Sequence, residues 1–117
     1  MRLEHYPVEK LKKEILEVVG RHLDLTKYHV FFFGSRITGK GTDRSDIDVG
    51  IEGSEPIPAR AWLEIKEEIE NIPMLYKIEI VDFSQVANIF KDVAFSHIES
   101  IWEPNHDKVS GNNSGVS

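Results

Sequence analysis

The chain has 117 residues, of which 40% are hydrophobic and 29% charged, so one soluble globular domain is expected. It has no cysteine, which excludes disulfides, zinc fingers, iron–sulfur clusters and thiol catalysis. A net charge of −6 without any Lys/Arg cluster makes a long nucleic acid a poor partner, because binding to phosphate backbones needs a basic face.

No apolar run approaches the roughly 20 residues of a membrane span, and Met1 to Lys13 lacks the apolar centre of a signal peptide, so a cytoplasmic location is expected. The first periodic segment is Pro7 to Leu23. Val8, Leu11, Ile15, Val18 and Val19 fall on one helical face, and Lys12, Lys13, Glu14 and Glu17 lie away from it. Pro7 suits a first helical turn, where a missing N–H costs nothing. After a short polar link, Tyr28 to Phe33 is an unbroken aromatic and apolar run ended by Gly34. That pattern predicts a strand buried on both faces. Gly34 to Arg44 is rich in Gly, Thr and charge and is expected to be a loop or a short helix. Ser45 to Ile51 alternates polar with apolar residues, the period of a half-buried strand. Asp46 and Asp48 then share one face, with Ile47, Val49 and Ile51 on the other.

Glu52 to Pro58 is a turn rich in breakers. Ala59 to Ile72 is predicted helical, with Trp62, Ile65, Ile69 and Ile72 on one face and Pro73 as its stop. Tyr76 to Phe83 is the third predicted strand. Ser84 to Ile98 is predicted helical again, with a stripe of Val86, Ile89, Phe90, Val93 and His97. Ile101 and Trp102 could add a short edge strand. The expected domain is thus 1–103, an α+β layer of helices on a small mixed sheet, followed by a polar tail, 104–117, predicted to be disordered.

Strand residues two apart lie roughly 6.6 Å from each other on one face. Two carboxylates at that spacing can converge on one ion, and Mg²⁺ prefers oxygen ligands while leaving positions open for water and phosphates. Asp46 and Asp48 are therefore a candidate metal platform; the plainer alternative is a solvated strand face. Glu79, in the middle of the third strand, shifts the balance. If that strand lies beside the second, three carboxylates gather, and they repel one another unless cations hold them. A two-metal site serving in-line phosphoryl displacement resolves that repulsion. Asp82 is the competing carboxylate, but alternation puts it on the opposite face.

Gly34 and Ser35 close the first strand, where a glycine lets backbone N–H groups approach phosphate oxygens and a hydroxyl adds a donor. Arg36 could add charge for a triphosphate, and Ser45 is a further nucleotide-binding candidate next to the carboxylates. A plain tight turn is the alternative for Gly34-Ser35 alone. Gly34 to Lys40 also fits the opening of a P-loop, but Gly41 stands where a Mg²⁺-binding Ser or Thr is needed and a strand follows instead of a helix, so a P-loop is rejected. The five histidines show no metal-ligand spacing; His29 and His97 are expected at the edge of the core, and Phe31, Phe32, Phe33 and Trp62 within it.

Taken together, Gly34-Ser35, ten intervening residues and Asp46-Ile47-Asp48 resemble the minimal nucleotidyltransferases of the polymerase-β superfamily. The string FFFGSRITGKGTDRSDIDVGI carries the resemblance, and YKIEIVDF is similar to the strand that supplies the third carboxylate. It covers roughly Pro7 to Trp102. The departure is Glu79, where the family usually has the shorter Asp. The resemblance implies a polymerase-β-like nucleotidyltransferase fold. It implies that Asp46 and Asp48, with Glu79, bind two Mg²⁺ ions and an NTP, ATP being expected. By the same resemblance, Gly34 and Ser35 hold the β- and γ-phosphates, and Glu79 takes the proton of an acceptor hydroxyl. A chain this short is expected to lack room for an acceptor-binding domain, so the acceptor is expected to be presented by a partner or by a second copy. Minimal members resemble the antitoxin half of a toxin–antitoxin pair, whose all-helical HEPN partner they silence by adding AMP to a tyrosine. A non-catalytic binding module of the same fold, or a transferase for a small-molecule hydroxyl such as an antibiotic, are the alternatives.

Overall fold

The computed structural model describes residues 1–39, 45–85, 91–92 and 96–104. Helix α1 runs Val8–His22 and buries Leu11, Ile15, Val18 and Val19, the i, i+4, i+7, i+8 stripe of an amphipathic helix. Pro7 sits one residue ahead of it as the N-cap, and its carbonyl accepts from the Leu11 N–H at 3.1 Å. At the other end Asp24 accepts from the backbone N–H of Thr26 (3.0 Å) and from its hydroxyl (2.6 Å). That local turn ends the helical run and starts a single 3-10 turn, Leu25–Lys27, which feeds strand β1, Tyr28–Phe33.

Four further elements follow up to the middle of the chain's second half: the one-turn helix α2 (Ser35–Thr38), strand β2 (Ile47–Gly53), helix α3 (Ala59–Glu70) and strand β3 (Ile78–Asp82). Strand β4, Glu99–Trp102, completes the sheet. The strand order is β3-β2-β1-β4; β1 is antiparallel to both β2 and β4, and β2 is parallel to β3. A parallel pair needs a long crossover, and α3 supplies it. The expected α+β fold with a small mixed sheet is what forms.

Pairing register fixes which side chains share a face, since directly opposed residues point the same way. Val30 opposes Ile51 and Phe32 opposes Val49, while Ile47 and Val49 oppose Ile78 and Ile80. These side chains are buried together with Leu11, Ile15 and Val19 of α1 and with Ile65 and Ile69 of α3. On the reverse face Phe31 opposes Gly50 and Phe33 opposes Asp48, which in turn opposes Glu79. That face buries a smaller aromatic cluster, Phe31, Phe33 and Phe83, with Val81 and Ile98 against it. Gly50 is required there: a Cβ on it would lie 2.5 Å from the Phe31 ring and 2.7 Å from that of Phe83.

Several boundaries differ from expectation. Strand β3 is shorter than Tyr76 to Phe83, because the Asp82 carboxylate accepts the Ser84 N–H (2.9 Å) and hydroxyl (2.6 Å), turning the chain into a 3-10 turn at Phe83–Gln85. Ser84 therefore does not open a helix. Lys91 and Asp92 are helical, whereas Val86, Ile89, Phe90 and Val93 of the predicted stripe lie outside the described residues, as does the predicted tail beyond Pro104. His97 is exposed instead of lying at the core edge. Helix α3 stops at Glu70, where Asn71 caps it by donating back to Glu67 O at 3.1 Å. Strand β4 is longer than Ile101-Trp102; it is tied to the body by the Trp102 indole N–H donating to Leu25 O at 2.7 Å and by Glu99, which meets the amino group of Met1 and, at 3.0 Å, Lys12. Among the described residues no helix is long and apolar enough to cross a membrane.

Candidate active site

The candidate site begins where β1 ends. Gly34 takes φ +87°, a conformation that L side chains rarely adopt, and its carbonyl accepts from Ile37 N–H (3.0 Å) and Thr38 N–H (3.2 Å) to start α2. The space beside Gly34 is also taken: a Cβ there would fall 2.1 Å from Oδ2 of Asp48. Glycine is thus demanded twice, by the backbone and by the carboxylate that lies against it. The sequence-predicted neighbours Gly34 and Asp48 are in direct contact, brought together by the Phe33–Asp48 pair at the end of the β1–β2 ladder.

Asp48 is half-buried, and Glu79 stands in register beside it on β3. Burial pushes the Asp48 carboxyl above the usual carboxylate range, and the nearby charges of Asp46 and Glu79 push it the same way. Asp46 lies just ahead of β2, not within it, because the ladder starts where Ile47 N–H donates to Lys77 O at 2.8 Å. Glu79 is about half exposed, with the Lys77 ammonium 3.9 Å away. Asp82, as alternation predicts, falls in register with Ile51 of the apolar face and is engaged by Ser84.

The chemistry of Asp46, Asp48 and Glu79 suits a divalent cation. All ligands are hard oxygens, and each adds repulsion that a cation would relieve, so the set fits Mg²⁺. Among the described residues, no three His, Cys, Asp or Glu side chains form a ready cage for one ion. Mg²⁺ does not demand such a cage, since one or two carboxylates, waters and phosphates commonly complete its shell.

Of the remaining candidates, Arg36 and Ser45 are in direct contact. Arg36 donates from Nε to the carbonyl of Ser45 at 2.9 Å, which ties α2 to the residue before the carboxylates. Its guanidinium lies over the ring of Tyr76, 4.8 Å from the centroid. The Tyr76 hydroxyl in turn accepts from the backbone N–H groups of Glu4 and His5, both at 3.1 Å. Sequence reasoning missed Tyr76, taking it for the first residue of the third strand. No spacing rule connects positions 36 and 76; only the fold does. His29 is half-buried on the far part of the same face, near Phe31 and 3.3 Å from the Ser100 hydroxyl, and burial lowers its pKa.

Comparison with known proteins bears on the family and the fold. The family described as Polymerase beta, Nucleotidyltransferase matches residues 13–107. A protein of Haemophilus influenzae described as a probable protein adenylyltransferase, MntA, is 28% identical over 85 residues, 71% of this chain and 75% of its own length. Among solved structures, a toxin–antitoxin with AMP-PNP superposes with a TM-score of 0.64 at 16% identity, covering 82% of this chain and 76% of its own. A Shewanella oneidensis complex of a tri-AMPylated HEPN toxin with an MNT antitoxin gives 0.62 at 12% identity, covering 91% and 82%. At such identities the solved structures speak for the fold alone.

Proposed function

Because the chain belongs to the polymerase-β nucleotidyltransferase family, we propose that its Asp48-centred site transfers AMP from ATP to a hydroxyl of a partner protein. The observation that carries this reading is the position of Asp48. Its carboxylate is pressed against Gly34, in register with Glu79 and raised by burial and by two like charges, all at the junction of the Gly34-Ser35 and Asp46-x-Asp48 motifs.

In this reading Asp46 and Asp48, with Glu79 as a further ligand, would hold up to two Mg²⁺ ions, whose charge would neutralise that of the phosphates. Gly34 and Ser35 hold the β- and γ-phosphates through backbone N–H groups and a hydroxyl, and Arg36 and Ser45 border the same space. The acceptor oxygen bonds to the α-phosphorus as the α–β phosphoanhydride bond breaks; pyrophosphate leaves, and Glu79 takes the acceptor's proton. The residues' contribution is mostly positioning and charge, as in other phosphoryl transfers.

The functional unit is residues 1–103, and the acceptor is a tyrosine on a helical HEPN-type protein, which this chain would silence as an antitoxin. Two kinds of support exist for a protein acceptor of HEPN type, the tyrosine itself being implied by the family resemblance: the relative named as a protein adenylyltransferase, and a neighbouring structure of an MNT antitoxin with an AMPylated HEPN toxin. The acidic net charge also suits a protein better than RNA. The test is intact-mass analysis of a co-expressed HEPN-type partner after incubation with this chain, ATP and Mg²⁺. The expected result is the mass of AMP added to a partner tyrosine and its loss with Asp48→Asn. Rate should fall by about two to three orders of magnitude, the scale of removing one preorganised electrostatic contact. No transfer to any partner, together with an inert Asp46→Asn change, would refute the enzymatic reading.

A further inference from the structure

Tyr76 opens the YKIEIVDF string, which gives it no role of its own, yet it joins three parts of the molecule. It precedes β3 and packs partly buried against the main core. Its ring carries the Arg36 guanidinium at 4.8 Å, and its hydroxyl accepts two backbone N–H groups, of Glu4 and His5, from the segment ahead of α1. The His5 ring stacks nearby, its centroid 6.3 Å away at 30°. Arg36 is held on a second side by Ser45 O. An arginine is a long, rotamer-rich side chain, and holding it in one place costs conformational entropy. Here an aromatic face and a carbonyl together fix the guanidinium of the residue that follows Gly34-Ser35.

We propose that Tyr76 is a positioning residue for nucleotide binding: its ring holds Arg36 in the orientation that receives the triphosphate. This rests on the nucleotide-site reading above. It adds to that reading the residue that sets the charge in place and a link from the N-terminal segment to the site. Two properties of the ring separate cleanly. Its face acts on Arg36, and its hydroxyl anchors residues 4 and 5.

The experiment measures binding of α,β-methylene-ATP with Mg²⁺ to the full chain by calorimetry, so that no acceptor or turnover is needed. Tyr76→Leu is expected to weaken binding about three- to fivefold, the range of a cation–π contact at a partly exposed site. Tyr76→Phe keeps the ring and should restore binding to within about twofold of the wild type. In an Arg36→Leu background, Tyr76→Leu should cost nothing further, which a merely structural role would not produce. If Tyr76→Leu does not fold, Tyr76→Gln makes the same comparison without an aromatic face. Unchanged affinity in the ringless variants, or the same loss with and without Arg36, overturns the proposal. Failure of the wild-type chain to bind the analogue would instead overturn the nucleotide-site reading, and this inference with it.

Discussion

The two faces of the four-stranded sheet are built by different rules. The face under α1 and α3 is mainly aliphatic: Val30, Ile47, Val49 and Ile51 are fully buried, with Phe32 among them, against Leu11, Ile15, Ile65 and Ile69 of the helices. The reverse face carries an aromatic cluster in its middle and, at one end, three carboxylates, of which Asp48 has its pKa raised by burial and by the charges of Asp46 and Glu79. A single strand serves both. In β2, Ile47, Val49 and Ile51 point to the helices, whereas Asp48 and Gly50 point away. Stability is thus gathered on one side by burying apolar area, which leaves the other side able to hold groups that oppose folding. Asp48 is such a group: a partly desolvated charge beside two like charges destabilises the fold unless something positive joins it.

The sharpest way to break this contrast is to damage the aliphatic face alone. Ile15→Ala should lower unfolding free energy in urea by about 2–5 kcal/mol, from lost burial and the cavity left behind. The folded fraction should keep its affinity for Mg²⁺-nucleotide. A selective loss of nucleotide affinity would mean that the faces are not separate in function.

A smaller effect is expected at Gly50, the contact between β2 and the aromatic cluster. Its substitution by Ala forces Phe31 and Phe83 apart, at a cost of about 1–3 kcal/mol from overpacking. Unlike Ile15→Ala, this change lies one pleat from Asp48 on the same face, so nucleotide affinity should fall with stability. Parallel urea and binding titrations check both.

The smallest effect concerns pH. The folded-state pKa of Asp48 is raised, so between the ordinary carboxylate value and that raised value the folded chain holds more proton than the unfolded one. Its contribution to stability is therefore fully present below the ordinary value and lost as pH rises through the raised one. Asp48→Asn removes that loss. Without metal, the stability of Asp48→Asn relative to wild type should climb through this window and then level off. Asp24 and Glu68 have lowered values and act in the opposite sense, but they are common to both proteins and cancel in the difference. A flat difference across the series would contradict the placement of Asp48.

Much of this division was legible in the sequence. The 3.6-residue stripe of α1 and the polar–apolar alternation from Asp46 to Ile51 each name a buried face, and the alternation puts Asp48 on the other side. The Gly34-Ser35 to Asp46-x-Asp48 interval was equally visible. What stayed hidden depends on tertiary contact. The need for glycine at position 50 appears only when the Phe31 and Phe83 rings are in place. Tyr76 reads as a strand residue until Arg36 is folded over it, and β3 ends early because Asp82 turns on Ser84, a side-chain contact that hydrophobic pattern does not encode.

The central claim is that the acidic face moves a nucleotidyl group. ATP labelled at the α-phosphorus and, separately, at the γ-phosphorus, supplied with Mg²⁺ and a HEPN-type protein, tests that most directly. The expected result is that α-label passes to that protein with the wild-type chain and not with Asp48→Asn, while γ-label stays in released pyrophosphate. Label reaching the partner from the γ position, or α-label transferred equally by Asp48→Asn, would contradict it.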